Sequence, residues 1–226
     1  MAQATIAVIV GNRDFFPDRL ISEGRQDILQ LFQEMDIEPV ILGESDTKLG
    51  AVETWTHAKR CAELFKTHRE RIEGVLVTLP NFGDEKGIAD TLILSGLDVP
   101  VLVQAYPDNL REMNLERRRD AFCGKISACG NLRQYRIPFS LTSLHTVHPA
   151  EESFKNDLRN FIAVCKVVKG LKNARIGAIG ARPNAFNTVR YSEKLLQESG
   201  ISVSTIDLSE ITGKAQKLPD GDNRVK

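Results

Sequence analysis

The side chains able to do chemistry are thinly spread in this sequence. Its four cysteines, Cys61, Cys123, Cys129 and Cys165, form no CxxC pair. The interval from Cys123 to Cys129 fits no common zinc spacing, so the four read as free thiols. His145 and His148 stand three apart in SLHTVHP. Two imidazoles could serve a metal, but at the end of a strand residues three apart face opposite sides. The acidic pair that follows, Glu151 and Glu152, reads as charge placed at a helix start. His145 is the better candidate for a hydrogen-bonding role at a strand end. No GxSxG nucleophile elbow and no Walker A loop is present. RIGAIGARP carries Gly177 and Gly180, and Asp207 closes the next apolar run. That partly meets a dinucleotide-binding pattern, and a plain tight turn uses the same residues. Arg111, Arg117, Arg118 and Arg119 could form an anion site or an ion-paired surface.

The elements that must position these groups alternate regularly. Residues 4–11 (ATIAVIVG) form a continuous apolar run, as expected of a strand covered on both faces. Helical spacing over 17–36 is followed by a β-branched run at 38–43, a second helical pattern over 51–71, and a strand at 74–79. A helix over 86–95 and a strand at 99–103 complete the set. Strand–helix alternation implies right-handed βαβ crossovers and a parallel sheet, so the expected fold is an α/β, flavodoxin-like open sheet. The rhythm breaks over 109–135, where a helix is expected from 121 to 135. An apolar segment at 138–145, a long helix over 150–172, a strand at 174–180, a helix over 186–199 and a strand at 201–209 then read as the beginning of a second, Rossmann-like α/β domain. The expected division is an N-terminal domain of residues 1–136, an incomplete second domain of 137–212, and a polar tail of 213–226. Two or three parallel strands leave apolar faces uncovered. The simplest expectation is therefore that residues beyond 226 complete the second domain.

Open parallel sheets take ligands at the carboxyl ends of their strands. Those positions are Asn12, Arg13, Asp14 and Phe15 after the first strand, Gly43 and Glu44 after the second, Pro80, Asn81 and Phe82 after the third, and Gln104 to Tyr106 after the fourth. Rings beside an Arg and an Asn suit a polyol: the ring covers a C–H face and the polar groups fix hydroxyls. Ordinary turn residues packed over a sheet end would look the same.

Composition narrows the classes. The chain has 226 residues, 30 basic and 30 acidic side chains and a formal net charge of zero. That balance argues against a nucleic-acid binder, which needs excess cations. No apolar run approaches the roughly 20 residues that span a bilayer, and the start MAQATIAVIVG lacks a basic leader. No nucleic-acid or membrane partner is expected, and the expected location is cytoplasmic.

Two stretches, CGKISACGNLRQYRIPFSLTSLHTVHP (123–149) and NARIGAIGARPNAFNTVRYSEKLLQESGISVSTIDLSEI (173–211), resemble the L-fucose isomerase and L-arabinose isomerase-like superfamily. The resemblance runs from the first strand to Glu210, and GARPNAFNTVRYSEK (180–194) is its most specific piece. It implies an enzyme that interconverts aldoses and ketoses, an intramolecular oxidoreductase of carbohydrate metabolism. It also implies a divalent metal, Mn2+, held by segments beyond residue 226, so no metal ligand and no catalytic residue is assigned here and the 226 residues alone are expected to be inactive. It further implies a homo-oligomer in which the first domain gives sugar contacts across a subunit interface. By resemblance the loops 12–16 and 80–82 face the substrate, and Gln134 and His145 are similar to polar residues near the sugar. The candidate sugar-binding set is Arg13, Phe15, Asn81, Phe82, Gln134 and His145. The alternative is a stand-alone sugar-binding or regulatory α/β module without catalysis. Which sugar is bound stays open: fucose, arabinose and a sulfonated hexose all fit.

Overall fold

The apolar runs become strands and the amphipathic stretches become helices, in the order expected. The computed structural model describes residues 4–223. The chain divides between Lys166 and Val167 into two compact units.

The first unit holds β1 (Ala4–Val10), α1 (Asp18–Glu34), β2 (Ile37–Ile41), α2 (Trp55–Thr67), β3 (Gly74–Leu79), α3 (Glu85–Ser95), β4 (Val101–Ala105), α4 (Ala121–Gln134) and β5 (Ser140–Leu141), and it includes most of α5 (Glu152–Leu171). The sheet order is β2-β1-β3-β4-β5, and every pairing is parallel. This is the flavodoxin-like order, with its switch point between β1 and β3.

Strand side chains alternate between two apolar layers, which is why the central strands read as unbroken apolar runs. From β1, Ala7 and Ile9 join Val75, Val77, Val101 and Val103 against Ala58, Phe65, Ile88 and Leu132 of α2, α3 and α4. Ile6, Val8 and Val10 point the other way and meet Ile21, Ile28 and Phe32 of α1 and Phe154, Leu158, Phe161 and Ile162 of α5. A period of two thus feeds helices on both faces.

Residues 137–166 were expected to open a second domain, and the structure places them in the first unit. β5 pairs with β4 through Leu102↔Ser140 and Val103↔Leu141. α5 lies so close to β3 that a Cβ on Gly74 would sit 2.6 Å from Cys165 Sγ and 2.9 Å from the Phe161 ring. The first sheet has two faces to cover, and α1 alone leaves the α5 side of β3 and β4 bare. Cys61 and Cys165 are buried free thiols. Burial raises both, Cys61 well above the ordinary thiol range and Cys165 to about 12, so neither is a thiolate at neutral pH.

The second unit contains β6 (Arg175–Ile179), α6 (Glu193–Glu198), β7 (Ser202–Ile206) and α7 (Leu208–Ala215). β6 and β7 pair in parallel, from Arg175↔Ser202 to Ile179↔Ile206. The helix expected over 186–199 is confined to α6, behind a short 3-10 turn at Asn187–Val189. Its start is set by Ser192, whose hydroxyl accepts from Leu195 N at 3.4 Å. Within this unit Ile176, Ile179, Leu195 and Leu208 are exposed.

Candidate functional site

The carboxyl edge of the first sheet is built on a buried chain of polar side chains. β1 ends at Val10, and Gly11 N donates to Thr78 O at 3.0 Å, which holds the chain against β3. Asn12 then turns inward. Its carbonyl accepts from Asn81 Nδ2 at 2.6 Å, and its own amide donates to Glu53. Asn81 Oδ1 in turn accepts from Gly83 N at 3.0 Å, and Gly83 has a φ of +74°, a conformation that favours glycine. Asn12 and Asn81 are fully buried. The loops that follow β1, β2 and β3 are therefore tied by an amide–amide–carboxylate relay in a place where unpaired polar groups would be costly.

Above this floor lie a cation and several rings. The Arg13 guanidinium sits 4.2 Å over the Phe82 ring centroid, a cation–π distance. Phe15 is 63% exposed and stacks on Phe16 with centroids 4.7 Å apart. Arg118 lies 5.9 Å from the Phe16 ring. Arg119 covers Tyr106 at 5.1 Å, donates to Pro80 O at 2.9 Å and pairs with Glu23 at 3.1 Å. Most of the arginine run is thus ion-paired: Arg117 meets Glu112 at 3.0 Å and Arg118 meets Asp120 at 3.3 Å.

α4 closes the edge from the other side. Asp108 caps it, accepting from Ala121 N and Phe122 N at 3.0 and 2.9 Å. Gly124 presses on the loop after β3: a Cβ there would meet Phe82 O at 2.0 Å and Phe82 Cα at 2.5 Å. One residue on, Lys125 is buried and donates to Thr142 Oγ1 at 2.6 Å and His145 O at 2.7 Å. Burial pushes its amine down to about 8. His145 lies at the mouth. Its Nε2 faces Phe122 O at 3.0 Å, so Nε2 carries a proton and donates, and in the neutral ring Nδ1 is then the acceptor. Its ring packs on Phe122 at 4.2 Å. Beneath, Gln104 accepts from Thr78 Oγ1 at 2.6 Å and donates to Val147 O at 2.7 Å.

The predicted residues fall into three groups. Arg13 and Phe82 come together at the switch point, Phe15 stands exposed on the same loop as Arg13 and stacks on Phe16, and His145 reaches the same edge through Phe122 and the first turn of α4. Asn81 is part of the floor: its amide is occupied by Asn12 and Gly83, so it shapes the loop and presents nothing to solvent. Gln134 is not brought to this edge. It is exposed at the last turn of α4, and a 14-residue helix places it about 20 Å from the first turn. Crossover helices run against their strands, so that turn lies at the amino edge of the sheet. Sequence reasoning did not single out Gly124 or Lys125. The available signal was the spacing of Lys125, four after Ala121 and three before Ala128, on the face that α4 buries.

In the second unit Gly180 has a φ of +72° after β6. Asp207, however, caps α7 and accepts from Ser209 N at 2.7 Å, which draws its carboxyl below the usual range. It serves a helix start. Among the described residues there is no group of three or more His, Cys, Asp or Glu able to hold a metal. Among the same residues no helix is long and apolar enough to cross a membrane.

A doubly wound parallel sheet with a guanidinium stacked on a ring over buried amides at its switch point defines an α/β domain of the open-sheet class. Residues 7–172 match the family described as fucose/sulfoquinovose isomerase, N-terminal domain. The chain belongs to that family. The match spans the first unit and ends before the 180–194 stretch. Two sulfoquinovose isomerases, from Priestia aryabhattai and Priestia megaterium (strain ATCC 12872 / QMB1551), are each 27% identical over 153 residues. The alignment covers 66% of this chain and 32% of each relative, so the chain matches about a third of the length of these curated relatives.

Proposed function

We propose that this chain is the N-terminal part of a metal-dependent aldose–ketose isomerase and supplies sugar contacts from the carboxyl edge of its first unit. Arg13, Phe15, Phe82 and His145 meet the sugar, and Asn81 holds the loop beneath them. The observation that carries the reading is the Arg13–Phe82 pair seated on the Asn12–Asn81 floor, within a domain of the fucose/sulfoquinovose isomerase family. The Phe82 ring offers an apolar wall for sugar C–H groups. The His145 Nδ1 lone pair accepts from a hydroxyl.

Aldose–ketose conversion moves hydrogen between C1 and C2 of the open-chain sugar with no net oxidation. A divalent ion such as Mn2+ supplies polarisation of the adjacent oxygens. That ion is held outside these 226 residues, and the complete enzyme is a cytoplasmic homo-oligomer. Titration calorimetry of the chain with Mn2+ tests this placement. The expected result is no micromolar binding and no conversion of an aldose; tight binding or unaided turnover overturns it.

A further inference from the structure

The first turn of α4 touches two parts of the strand-end edge at once. Gly124 abuts the loop that carries Phe82, and the Phe122 ring packs 4.2 Å from the His145 ring. Next to them Lys125 runs inward and is 1% exposed. Its ammonium donates to two points of a single turn, Thr142 Oγ1 at 2.6 Å and His145 O at 2.7 Å. Thr142 Oγ1 donates in turn to Leu144 O at 2.7 Å, so residues 142–145 are tied end to end from inside. Asp157 of α5 holds the same turn from its outer side, accepting from Ser143 N at 2.9 Å and Ser143 Oγ at 2.5 Å. Packing alone gives no reason for an amine at this position. A methionine would fill the space of the stem without the cost of burying a charge, and burial already lowers this amine. What a methionine lacks is the donors, and these are aimed at the turn that carries His145.

From this geometry we infer that Lys125 is a positioning residue: its buried ammonium fixes the 142–145 turn so that the His145 ring keeps its place on Phe122, at the same edge as Phe82. Lys125 touches no ligand and acts through His145. Its charge then specifies one arrangement of the turn instead of adding stability, a use to which buried ionic groups are put elsewhere. The consequence for binding rests on the reading of this edge as the sugar site; the placement of the ring does not.

The test follows the 226-residue chain by NMR, first without ligand. The His145 Nε2–H, bonded to Phe122 O, is expected to give a resolved signal, with NOEs between the His145 and Phe122 rings. Lys125→Met should lose both, whatever its urea midpoint. Lys125→Gln keeps an N–H donor on a shorter stem and should restore part of them. Thr142→Val removes one acceptor, leaves Lys125 in place and should weaken the same signals; it decides the matter if Lys125→Met does not fold. L-fucose and 6-deoxy-6-sulfoglucose are then titrated as probes. A sugar that shifts His145 should bind Lys125→Met more weakly by about fivefold or more, the worth of one hydrogen bond. A changed urea midpoint with the ring NOEs intact makes Lys125 a structural residue only and overturns the inference. An unchanged sugar affinity in Lys125→Met overturns its role in binding. NOEs that respond as expected while neither sugar shifts His145 or Phe82 overturn the sugar-site reading and leave the placement of His145 by Lys125 standing.

Discussion

Gly124→Ala adds one methyl group where α4 touches the loop after β3, and the outcome can be worked from distances. The new Cβ would lie 2.0 Å from Phe82 O, 2.5 Å from its Cα and 2.6 Å from its carbonyl carbon. Ordinary contact begins at 3.4 Å, so helix and loop must part by about 1.4 Å. Every neighbour in that list is backbone, and a rotamer change relieves none of it. Overpacking of this kind costs about 3 kcal/mol, and the better helix propensity of alanine returns about 1 kcal/mol. The net loss is about 2 kcal/mol, which lowers the midpoint of the main thermal transition by about 4–8 °C for a chain of this size. Gly130, on the same helix, is the internal control, because a Cβ there meets nothing within 4 Å. Gly130→Ala should therefore raise stability by up to about 1 kcal/mol. Urea unfolding of both variants checks the pair, and the Arg13 and Phe82 resonances should move in Gly124→Ala only. Equal or reversed stabilities would refute the claim that α4 sets the height of the Phe82 loop.

Two further outcomes follow from the buried polar groups. Lys125 titrates near 8 when folded, against an ordinary value of 10.5. Between those values the unfolded chain binds more protons, so this group makes stability rise with pH from about 8 to about 10.5, and its penalty is full below 8. Unfolding free energies measured across that range should show the slope in the unsubstituted chain relative to Lys125→Met, and parallel profiles would contradict a buried amine. Asn81→Ala strips Asn12 Oδ1 and Gly83 N of their partner and should cost about 3 kcal/mol as two unsatisfied buried groups. A urea midpoint within error of the unsubstituted chain would show the floor to be dispensable.

How much of this was legible in the sequence depends on where the signal lay. β1, β3 and β4 read as strands because both faces of each are buried, and the apolar run records that burial residue by residue. α4 was legible as a helix, but its buried face is not an apolar stripe: it is Ala121, Gly124, Lys125, Ala128 and Leu132. A lysine and a glycine in that stripe read as a solvated helix. β5 is two exposed residues, Ser140 and Leu141, so a boundary placed at 136/137 by the apolar segment 138–145 had no core to rest on, and it is α5 that shows where the unit extends. Asn12 and Asn81 are 69 residues apart. Only the adjacency of β1 and β3 makes them neighbours, and that is a property of sheet order. Gln134 shows the opposite case. A local likeness carried it into the candidate set, and the polarity of a crossover helix takes it to the other edge.

The same topology explains why Arg13 and Phe82 meet at the switch point and at no other part of the edge. α1 packs on one face of the sheet and α3 on the other, so the chain leaving β1 and the chain leaving β3 turn in opposite directions. Two neighbouring strands whose exits diverge leave a crevice between their loops, and its floor is backbone and short polar side chains that water would otherwise solvate. That floor stays rigid only if its hydrogen bonds close internally, which Asn12, Asn81, Glu53 and Gly83 accomplish. Because the floor is self-satisfied, it has little left to offer a ligand. In the function proposed above, recognition would pass to the groups standing on the rim, among them Arg13, whose guanidinium stacks on Phe82 and has no carboxylate within 4.0 Å among the described residues.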